Sequence, residues 1–561
     1  MNASEKHPSK FKAAFKELLP AYIITFVFCY MLFVYEPVLM YSTNQIDLWF
    51  DLVLMIRPVL IGFALTFFGS AVLMTAVFLI NKAVVREKEP TAYRIVTIAL
   101  FFVFLVTYIQ GNFLAGDLPA LDGSEIDWDS FLKNDLITLS VCVILLCVAV
   151  ILLIKFKVKR AFMITAFAAG AVFLMLTVSL VFEMINRDAF ARKDSVVATM
   201  KDFNTISSDK NFVIILNDAV DAVEFGNVLE ENPEYKKVFE DFTYFPDTLG
   251  CYPCTRDTIP VVLGGALNKN EMKFEDFSTR ALNDSPLFEE LTEKGYDINL
   301  YESPIVWYGN KNFSINNCVD NTNYDLPFGS FFREEIKYIG YKYLPYRFKR
   351  YSDIESMDYN DLVEWFRWND NIVYGYINDA PELQKQEDRV FDFVHTEGAH
   401  MPFQYDRDLK VFNSIWAGNY KLKIEATITM TNAYIERLKA NGVYDNTVII
   451  IMADHGNTTL SGDDGMLKRA NPLFMVKGIN EHHEFEVSEK PLSYLDLMDI
   501  YSKLLDDRTA KEATDDIPDE RERIFLWYKD FEFEDHIVEY AVTDKAWEWE
   551  KFRKTGNEYD L

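Results

Sequence analysis

Five long apolar segments in the first third of the chain constrain its fold more than any other feature. They cover approximately residues 19–34, 52–79, 92–109, 136–154 and 161–182. Most of them are close to or above the ~20 residues that a helix needs to cross a hydrocarbon core of roughly 30 Å. Five such segments in succession, separated by short charged loops, are not typical of buried helices in soluble proteins. The sequence therefore predicts a five-helix transmembrane domain over residues 1–183 and a juxtamembrane linker or helix over 184–205.

The charges of the connecting loops predict how this domain lies in the membrane. Lysines and arginines cluster before the first segment, between the second and third, and between the fourth and fifth, whereas the two other loops are acidic. Basic loops stay on the cytoplasmic side of a membrane. Everything after the fifth segment is therefore expected outside the cytoplasm, and the protein is predicted to be a multi-pass protein of the plasma membrane.

Composition limits both the partners and the cross-links of the chain. The formal net charge of −29 at pH 7 argues against nucleic acid as a partner, because a polyanion would be repelled. Three of the six cysteines lie in the predicted exported part, namely Cys251, Cys254 and Cys318. An exported domain permits one disulfide among them, with one thiol left over. The sequence leaves the pairing open.

The exported part, residues 206–561, alternates apolar strand-like runs with amphipathic stretches. The runs "NFVIILND", "YDINLYES", "RVFDFVHTEGAH" and "NTVIIIMADHG" read as strands, the first of them buried on both faces, and stretches such as "SPLFEELTEKG" read as helices. This alternation predicts an α/β sandwich around a mostly parallel sheet. In such folds the chemistry lies at the carboxyl ends of the strands.

Acidic and histidine side chains follow these predicted strands. Asp218 ends the first run, Asp454 and His455 end the last, and His395 and His400 lie in the "RVFDFVHTEGAH" segment. Carboxylate oxygens together with imidazole nitrogen suit a divalent cation such as Zn²⁺ or Mn²⁺. The sequence thus predicts a metal site at one edge of the sheet.

Four segments carry a resemblance to a known group of enzymes. "NFVIILND", "CTRDTIPVVLGG", "HTEGAHMPF" and "IIIMADHG" occur in the order and approximate spacing of the alkaline-phosphatase/sulfatase superfamily. Together with the apolar segments, the chain resembles the membrane-anchored phosphotransferase branch of lipoteichoic acid synthases, phosphoglycerol transferases and phosphoethanolamine transferases. The resemblance implies one divalent metal ion, Mn²⁺ or Zn²⁺ with Mg²⁺ as a third candidate. The implied ligands are Asp218, Thr255, Asp454 and His455.

The segment "GCYPCTRDTIPVVLGG" contains two types of candidate nucleophile. A sulfatase requires Cys or Ser in the pattern C/S-x-P-x-R, but Thr255 stands where Cys251 would require the arginine. The transferase pattern places the nucleophile nine or ten residues before a glycine helix end and five before a proline. Gly264 and Pro260 satisfy both spacings for Thr255. A threonine at a helix start is favourably placed to receive a phosphoryl oxyanion, although a plain helix N-cap is the alternative.

The resemblance also implies residues that contact the substrate. His400 is implied to engage the phosphate or the acceptor as an acid or base, and Arg256 either clamps phosphate oxygens or points to solvent. His395 is a further expected substrate contact. Asn310, in "WYGNKNFSINN", matches part of a glycerol-phosphate motif, and Lys468 falls near a histidine position of phosphoethanolamine transferases.

The expected activity is transfer of a phosphoglycerol-like head group. A membrane phospholipid would be the donor, a phosphothreonine the intermediate, and a cell-surface glycan, glycolipid or polymer the acceptor. Three alternatives stay open: a phosphoethanolamine transferase, a sulfatase-like phosphodiesterase or other hydrolase, and a non-catalytic lipid-binding membrane protein.

Overall fold

The computed structural model describes residues 10–45, 48, 50–85, 90–116, 118–119, 121, 126, 128–191, 196–302, 312–320, 326–352, 354, 356–363, 366–412, 417–457, 463–528 and 536–560. Its helices are α1 (Lys10–Tyr30), α2 (Glu36–Thr43), α3 (Leu52–Ile80), α4 (Thr91–Phe113), α5 (Leu132–Lys155), α6 (Val158–Asn186), α7 (Ala222–Glu231), α8 (Thr255–Gly264), α9 (Phe274–Asn283), α10 (Pro286–Glu293), α11 (Phe328–Tyr343), α12 (Tyr346–Lys349), α13 (Ser356–Asn360), α14 (Asp370–Asp379), α15 (Tyr420–Ala440), α16 (Asp463–Lys468), α17 (Leu497–Leu505) and α18 (Ala510–Thr514). Its strands are β1 (Val196–Ala198), β2 (Thr205–Ser207), β3 (Asn211–Asn217), β4 (Thr243–Tyr244), β5 (Thr248–Leu249), β6 (Tyr296–Tyr301), β7 (Cys318–Asp320), β8 (Gln384–Gln386), β9 (Arg389–Thr396), β10 (Thr447–Met452), β11 (Phe474–Lys477), β12 (Glu486–Val487), β13 (Leu492–Ser493), β14 (Arg523–Trp527), β15 (His536–Val542) and β16 (Arg553–Asp560).

The chain divides into two compact units, residues 1–193 with 321–364, and residues 194–320 with 365–561. In the described part of the first unit, five helical segments are long and apolar enough to cross a membrane. They are Ala14–Thr43, Leu52–Ala83, Thr91–Phe113, Trp128–Lys155 and Val158–Asn186. A short π-helical stretch, Met31–Tyr35, joins α1 to α2 within the first of them. The five apolar segments seen in the sequence are therefore five apolar helices.

The first unit also contains residues 321–364, which the sequence places inside the exported domain. Its main element, α11, has an aromatic face that packs against the apolar helices of this unit. The ring of Phe332 stacks on Phe33 with centroids 5.4 Å apart. Tyr343 lies so close to Gly111 that a Cβ atom there would be 2.1 Å from the tyrosine ring. A helix with this many aromatic side chains is stabilised by burying them, which the apolar helices allow.

A buried ion pair also connects α11 to the first apolar helix within this unit. The Glu36 carboxylate is fully buried and accepts hydrogen bonds from the Lys342 ammonium and, at 2.6 Å, from the Tyr343 hydroxyl. Glu335, also on α11, is buried and accepts a hydrogen bond of 3.1 Å from Tyr359. A charged group in such a position is costly unless it has a partner, and Lys342 provides one for Glu36.

Glu335 is expected to make the stability of the first unit depend on pH. Burial, reinforced by the nearby Glu36 carboxylate, raises the pKa of Glu335 from 4.5 to about 8. Between pH 4.5 and about 8, Glu335 therefore keeps a proton in the folded state that it has lost in the unfolded state. The stability of the fold falls as the pH rises through this range. We expect Glu335→Gln to remove up to about 4 kcal/mol of this pH dependence. Thermal unfolding of the full chain in detergent at pH 5 to pH 9 measures it, with Glu183→Gln, a half-buried glutamate paired with Arg187, as the control. Equal slopes for all three proteins would contradict the prediction.

The second unit is built on a seven-stranded sheet with the order β12-β4-β11-β10-β3-β9-β6. The four strands β10, β3, β9 and β6 are parallel to one another, while β11 is antiparallel to both of its neighbours. Strand β3 is buried along its whole length. Its alternate side chains enter two separate apolar cores, one on each face of the sheet. The predicted α/β sandwich with a mostly parallel sheet is confirmed.

Candidate active site

The carboxyl ends of two adjacent parallel strands bring together three side chains that could hold a metal ion. Asp218 follows β3 directly, and Asp454 and His455 follow β10, which pairs with β3 in register. The three side chains are almost completely buried, at 2, 0 and 2% exposure. One ligand atom from each lies within 4.8 Å of the others. This is the cluster that the strand-end pattern predicted.

The donor atoms of this cluster fit a divalent cation. The backbone N–H groups of Ala219 and His455 both donate to Asp454 Oδ1, at 3.0 and 2.9 Å, so Oδ2 is the oxygen left for a ligand. Among the described residues, neither Asp454 Oδ2 nor Asp218 Oδ1 receives a hydrogen bond, although both atoms are buried. His455 Nδ1 donates to the Gly456 carbonyl at 2.8 Å, which leaves the Nε2 lone pair for a metal. Two buried carboxylates with uncommitted oxygens are costly without a cation.

Thr255 lies beside this cluster at the start of a helix. It is the first residue of α8, and its hydroxyl donates to Asp218 Oδ2 at 3.3 Å. The helix ends at Gly264, and Gly265 adopts a left-handed conformation with φ of 70° and closes the last turn through Val261. The neighbouring hydroxyl of Thr258 is fully buried and donates to the Cys254 carbonyl at 2.9 Å. Of these two hydroxyls, only that of Thr255 contacts the cluster.

The two cysteines of the same segment lie in the apolar core instead. Cys251 and Cys254 are 0 and 2% exposed. Cys254 contacts the hydroxyl of Tyr528 and donates to Asp257 at 3.2 Å. Burial raises the pKa of both thiols well above the ordinary value, so neither is a thiolate at neutral pH. All six cysteines of the chain are free thiols, and the disulfide permitted by the sequence is not formed.

His395 lies beneath the cluster, on strand β9. It is 1% exposed, and its Nε2 is 3.6 Å from Asp218 Oδ2. Its Nδ1 donates to the Glu302 carboxylate at 2.7 Å. Burial alone would lower the pKa of His395, but Glu302 and Asp218 outweigh burial and raise it well above the ordinary value. No motif in the sequence points to Glu302, although it follows strand β6 just as Asp218 follows β3.

Glu302 is expected to orient His395 and, through it, the Asp218 carboxylate. We expect Glu302→Gln to weaken metal binding by about tenfold, because outer partners of metal sites have effects of this order. Equilibrium dialysis of the full chain against buffered Mn²⁺ or Zn²⁺ measures this change. The control is Glu293→Gln, an exposed glutamate at the end of α10, which should bind metal like the unchanged chain. Equal affinities for all three proteins would contradict the positioning role.

Two half-buried side chains, His400 and Trp368, lie near His395. His400 Nδ1 donates to the Met401 carbonyl at 2.5 Å, which leaves Nε2 as a proton acceptor. The ring of Trp368 lies 6.0 Å from that of His400 and 5.6 Å from that of His395. No motif in the sequence points to Trp368, which precedes strand β9 by about twenty residues. It adds an apolar wall to the site.

A buried polar network holds the loop that carries His400. The Lys423 ammonium is 3.1 Å from Glu397, and Glu397 also accepts hydrogen bonds from Gln404 and Tyr405. Gly398, which directly follows Glu397, has a φ of 56°. A Cβ atom there would lie 2.4 Å from the Asp218 carbonyl. Only glycine fits this close approach. The network and the glycine together fix the loop against the backbone of Asp218.

The other predicted substrate contacts have different surroundings. The Arg256 guanidinium stacks 4.3 Å from the centre of the Phe274 ring. The Lys468 ammonium lies 4.6 Å from the centre of the Trp549 ring. The next residue, Arg469, lies beside the site, because its guanidinium donates to the Pro253 carbonyl at 3.5 Å and its own carbonyl accepts the Gly456 N–H at 2.7 Å. Asn310 lies outside the described residues.

These features place a cluster that could hold a metal ion at the strand ends of an α/β sandwich, in a chain that also contains an apolar helical unit. The chain belongs to the sulfatase family, whose model, described as Sulfatase, matches residues 210–506. Solved structures of the alkaline-phosphatase superfamily are similar in fold. A protein of that superfamily from Vibrio parahaemolyticus is 12% identical, with a TM-score of 0.37, over 66% of this chain and 86% of the other. A 2-O GAG sulfatase is 12% identical, with a TM-score of 0.37, over 60% of this chain and 81% of the other. No curated protein matches the chain in sequence.

Proposed function

We propose that this protein is a metal-dependent transferase that moves a phosphoglycerol-like head group from a membrane phospholipid to an acceptor hydroxyl. The acceptor would belong to a cell-surface glycan, glycolipid or polymer. One observation carries the proposal: the hydroxyl beside the metal-binding cluster belongs to Thr255, while the sulfatase-type candidates Cys251 and Cys254 are buried thiols. A chain without a reactive cysteine or serine in that place lacks the precursor that the sulfatase pattern requires.

In the first step the Thr255 oxygen attacks the phosphorus of the donor phosphodiester. A phosphorus–oxygen bond to Thr255 forms, the bond to the diacylglycerol oxygen breaks, and the proton that the Thr255 hydroxyl loses ends on that leaving oxygen. The helix N-terminus at Thr255 directs backbone N–H groups at the phosphoryl oxygens. A divalent cation held by Asp218, Asp454 and His455 would lower the pKa of the adjacent hydroxyl and stabilise negative charge on the phosphoryl group.

In the second step an acceptor hydroxyl attacks the same phosphorus. The bond to Thr255 breaks, its oxygen regains a proton, and the head group passes to the acceptor. His400 Nε2 is the group proposed to take the proton from the acceptor, because Nδ1 is committed to the Met401 carbonyl. Arg469, rather than Lys468, is the cation proposed to balance the phosphate charge, because its guanidinium donates to the Pro253 carbonyl, two residues before Thr255, at 3.5 Å.

The apolar unit supports a membrane donor. Five helices that can cross a membrane confine the covalently linked catalytic unit to a membrane surface, where phospholipid is abundant. The basic loops favour an extracytoplasmic position for the catalytic unit at the plasma membrane, where surface glycans are found.

Trapping the intermediate tests the proposal. The full chain in lipid nanodiscs is incubated with Mn²⁺ or Zn²⁺ and phosphatidylglycerol that carries an isotopic label in its head group. The expected result is label on Thr255 by peptide mass spectrometry, together with released diacylglycerol. Labelled phosphatidylethanolamine in a parallel reaction reports head-group choice. Water-soluble head-group phosphate as the final product despite added glycan would indicate a hydrolase, and cleavage of an aryl sulfate without any adduct on Thr255 would contradict the proposal.

A further inference from the structure

A cavity of about 560 Å³ opens between α1 and α6 at the N-terminal ends of both helices, within the first unit. Two ammonium groups stand at one end of it, on Lys16 and Lys159. The rest of the wall is mainly apolar and includes Ile23, Met163 and Phe167. The site described above lies in the other unit, so this cavity is a separate feature.

The charge at the mouth of the cavity is positive. Glu17 also lines it, but the Arg94 guanidinium binds both oxygens of that carboxylate, at 2.8 and 2.9 Å. Neither Lys16 nor Lys159 forms an ion pair with any residue that the structure describes. Glu17 is thus neutralised by Arg94, and the two lysines can bind an anion.

The apolar wall distinguishes this cavity from a site for a small soluble anion. On α6 the wall runs from Lys159 to Phe167, which is about 12 Å along a helix axis. Met163 and Phe167 are 55 and 83% exposed, so their apolar surface is available to a ligand. Both helices are candidate membrane spans, and 12 Å is less than half of a hydrocarbon core of roughly 30 Å.

We propose that this cavity binds an anionic phospholipid, with its phosphate on Lys16 and Lys159 and the first part of an acyl chain against Met163 and Phe167. The positive mouth matches an anionic head group, and the apolar wall matches the chain that follows it. The lipid would come from the leaflet that contacts the N-terminal ends of α1 and α6. This assignment does not depend on the proposed transferase activity.

Native mass spectrometry of the full chain in detergent tests the assignment. The chain is titrated with phosphatidylglycerol and with phosphatidylcholine of the same acyl composition. We expect one site that prefers phosphatidylglycerol by at least about tenfold, because each lysine near an anionic head group contributes appreciably. The double variant Lys16→Gln/Lys159→Gln should lose this preference, and Lys16→Arg/Lys159→Arg should keep it.

The matched control is Lys155→Gln/Lys157→Gln, which removes two exposed lysines of the same basic stretch that do not line the cavity. It should keep the preference. Three outcomes would overturn the assignment: equal affinity of the unchanged chain for both lipids, equal loss in the control, or displacement of the lipid by inorganic phosphate. The thermal midpoint of each variant verifies that it is folded. A double variant that does not fold leaves the arginine variant and the phosphate competition to decide.

Discussion

Replacing Thr255 with alanine is expected to lower head-group transfer by at least about a thousandfold and to eliminate the covalent adduct. The proposed reaction forms its first bond at the Thr255 oxygen, and alanine has no atom that can replace it. Thr255→Ser keeps a hydroxyl at the start of α8 and should retain measurable transfer. The measurements are diacylglycerol release and label on the α8 peptide, each per folded molecule.

Two neighbouring substitutions provide matched controls for Thr255. Thr258→Ala removes a hydroxyl one helical turn further along α8, where it donates to the Cys254 carbonyl. Cys254→Ala removes the buried thiol that contacts Asp257 and Tyr528. Both are expected to lower the thermal midpoint, because each removes a buried contact, and both should keep transfer per folded molecule. Loss of activity in Cys254→Ala with activity kept in Thr255→Ala would identify a cysteine-dependent enzyme instead.

The parts of the fold that follow from local patterns could be predicted from the sequence. The apolar segments are long enough to reveal helices without knowledge of their partners. The β-branched run of β3 reveals a strand buried on both faces. Because the carboxyl ends of parallel strands meet at one edge of a sheet, Asp218 and Asp454 could be placed near each other although they are 236 positions apart in the chain.

Features that depend on packing between distant segments could not be predicted in this way. Helix α11 lies inside the sequence of the second unit, but its aromatic residues pack in the first, and no local pattern reveals that partner. The identity of the cation near the site is a second example, in which the sequence pattern and the structure differ by one residue. Helix α16 ends at Lys468, whose side chain stacks on Trp549, whereas the Arg469 guanidinium donates to the Pro253 carbonyl beside the start of α8. A count along the sequence cannot resolve the direction of a side chain at a helix end.

Replacing Asp454 with asparagine is expected to abolish the stabilisation of the protein by metal. The asparagine oxygen can still accept the N–H groups of Ala219 and His455, as Asp454 Oδ1 does. Its amide nitrogen would then take the place of Oδ2 and repel a cation. We expect metal affinity to fall by at least about a hundredfold and transfer to fall with it, because a ligand is lost outright.

Without metal, the Asp454→Asn variant is expected to be more stable than the unchanged chain. Without a cation, the unchanged chain buries the Asp218 and Asp454 carboxylates side by side, with uncommitted oxygens on both. Asp454→Asn removes one of these charges, so this variant should unfold at a higher temperature than the unchanged chain in the presence of a chelator. Metal at one hundred times its dissociation constant should stabilise only the unchanged chain, by about 2.7 kcal/mol.

Thermal unfolding of both proteins, with chelator and with Mn²⁺, Zn²⁺ or Mg²⁺, measures this change in the order of stability. Asp445→Asn, an exposed aspartate before β10, is the control and should respond to metal like the unchanged chain. A metal-independent midpoint for the unchanged chain would contradict the assignment of the cluster as a metal site.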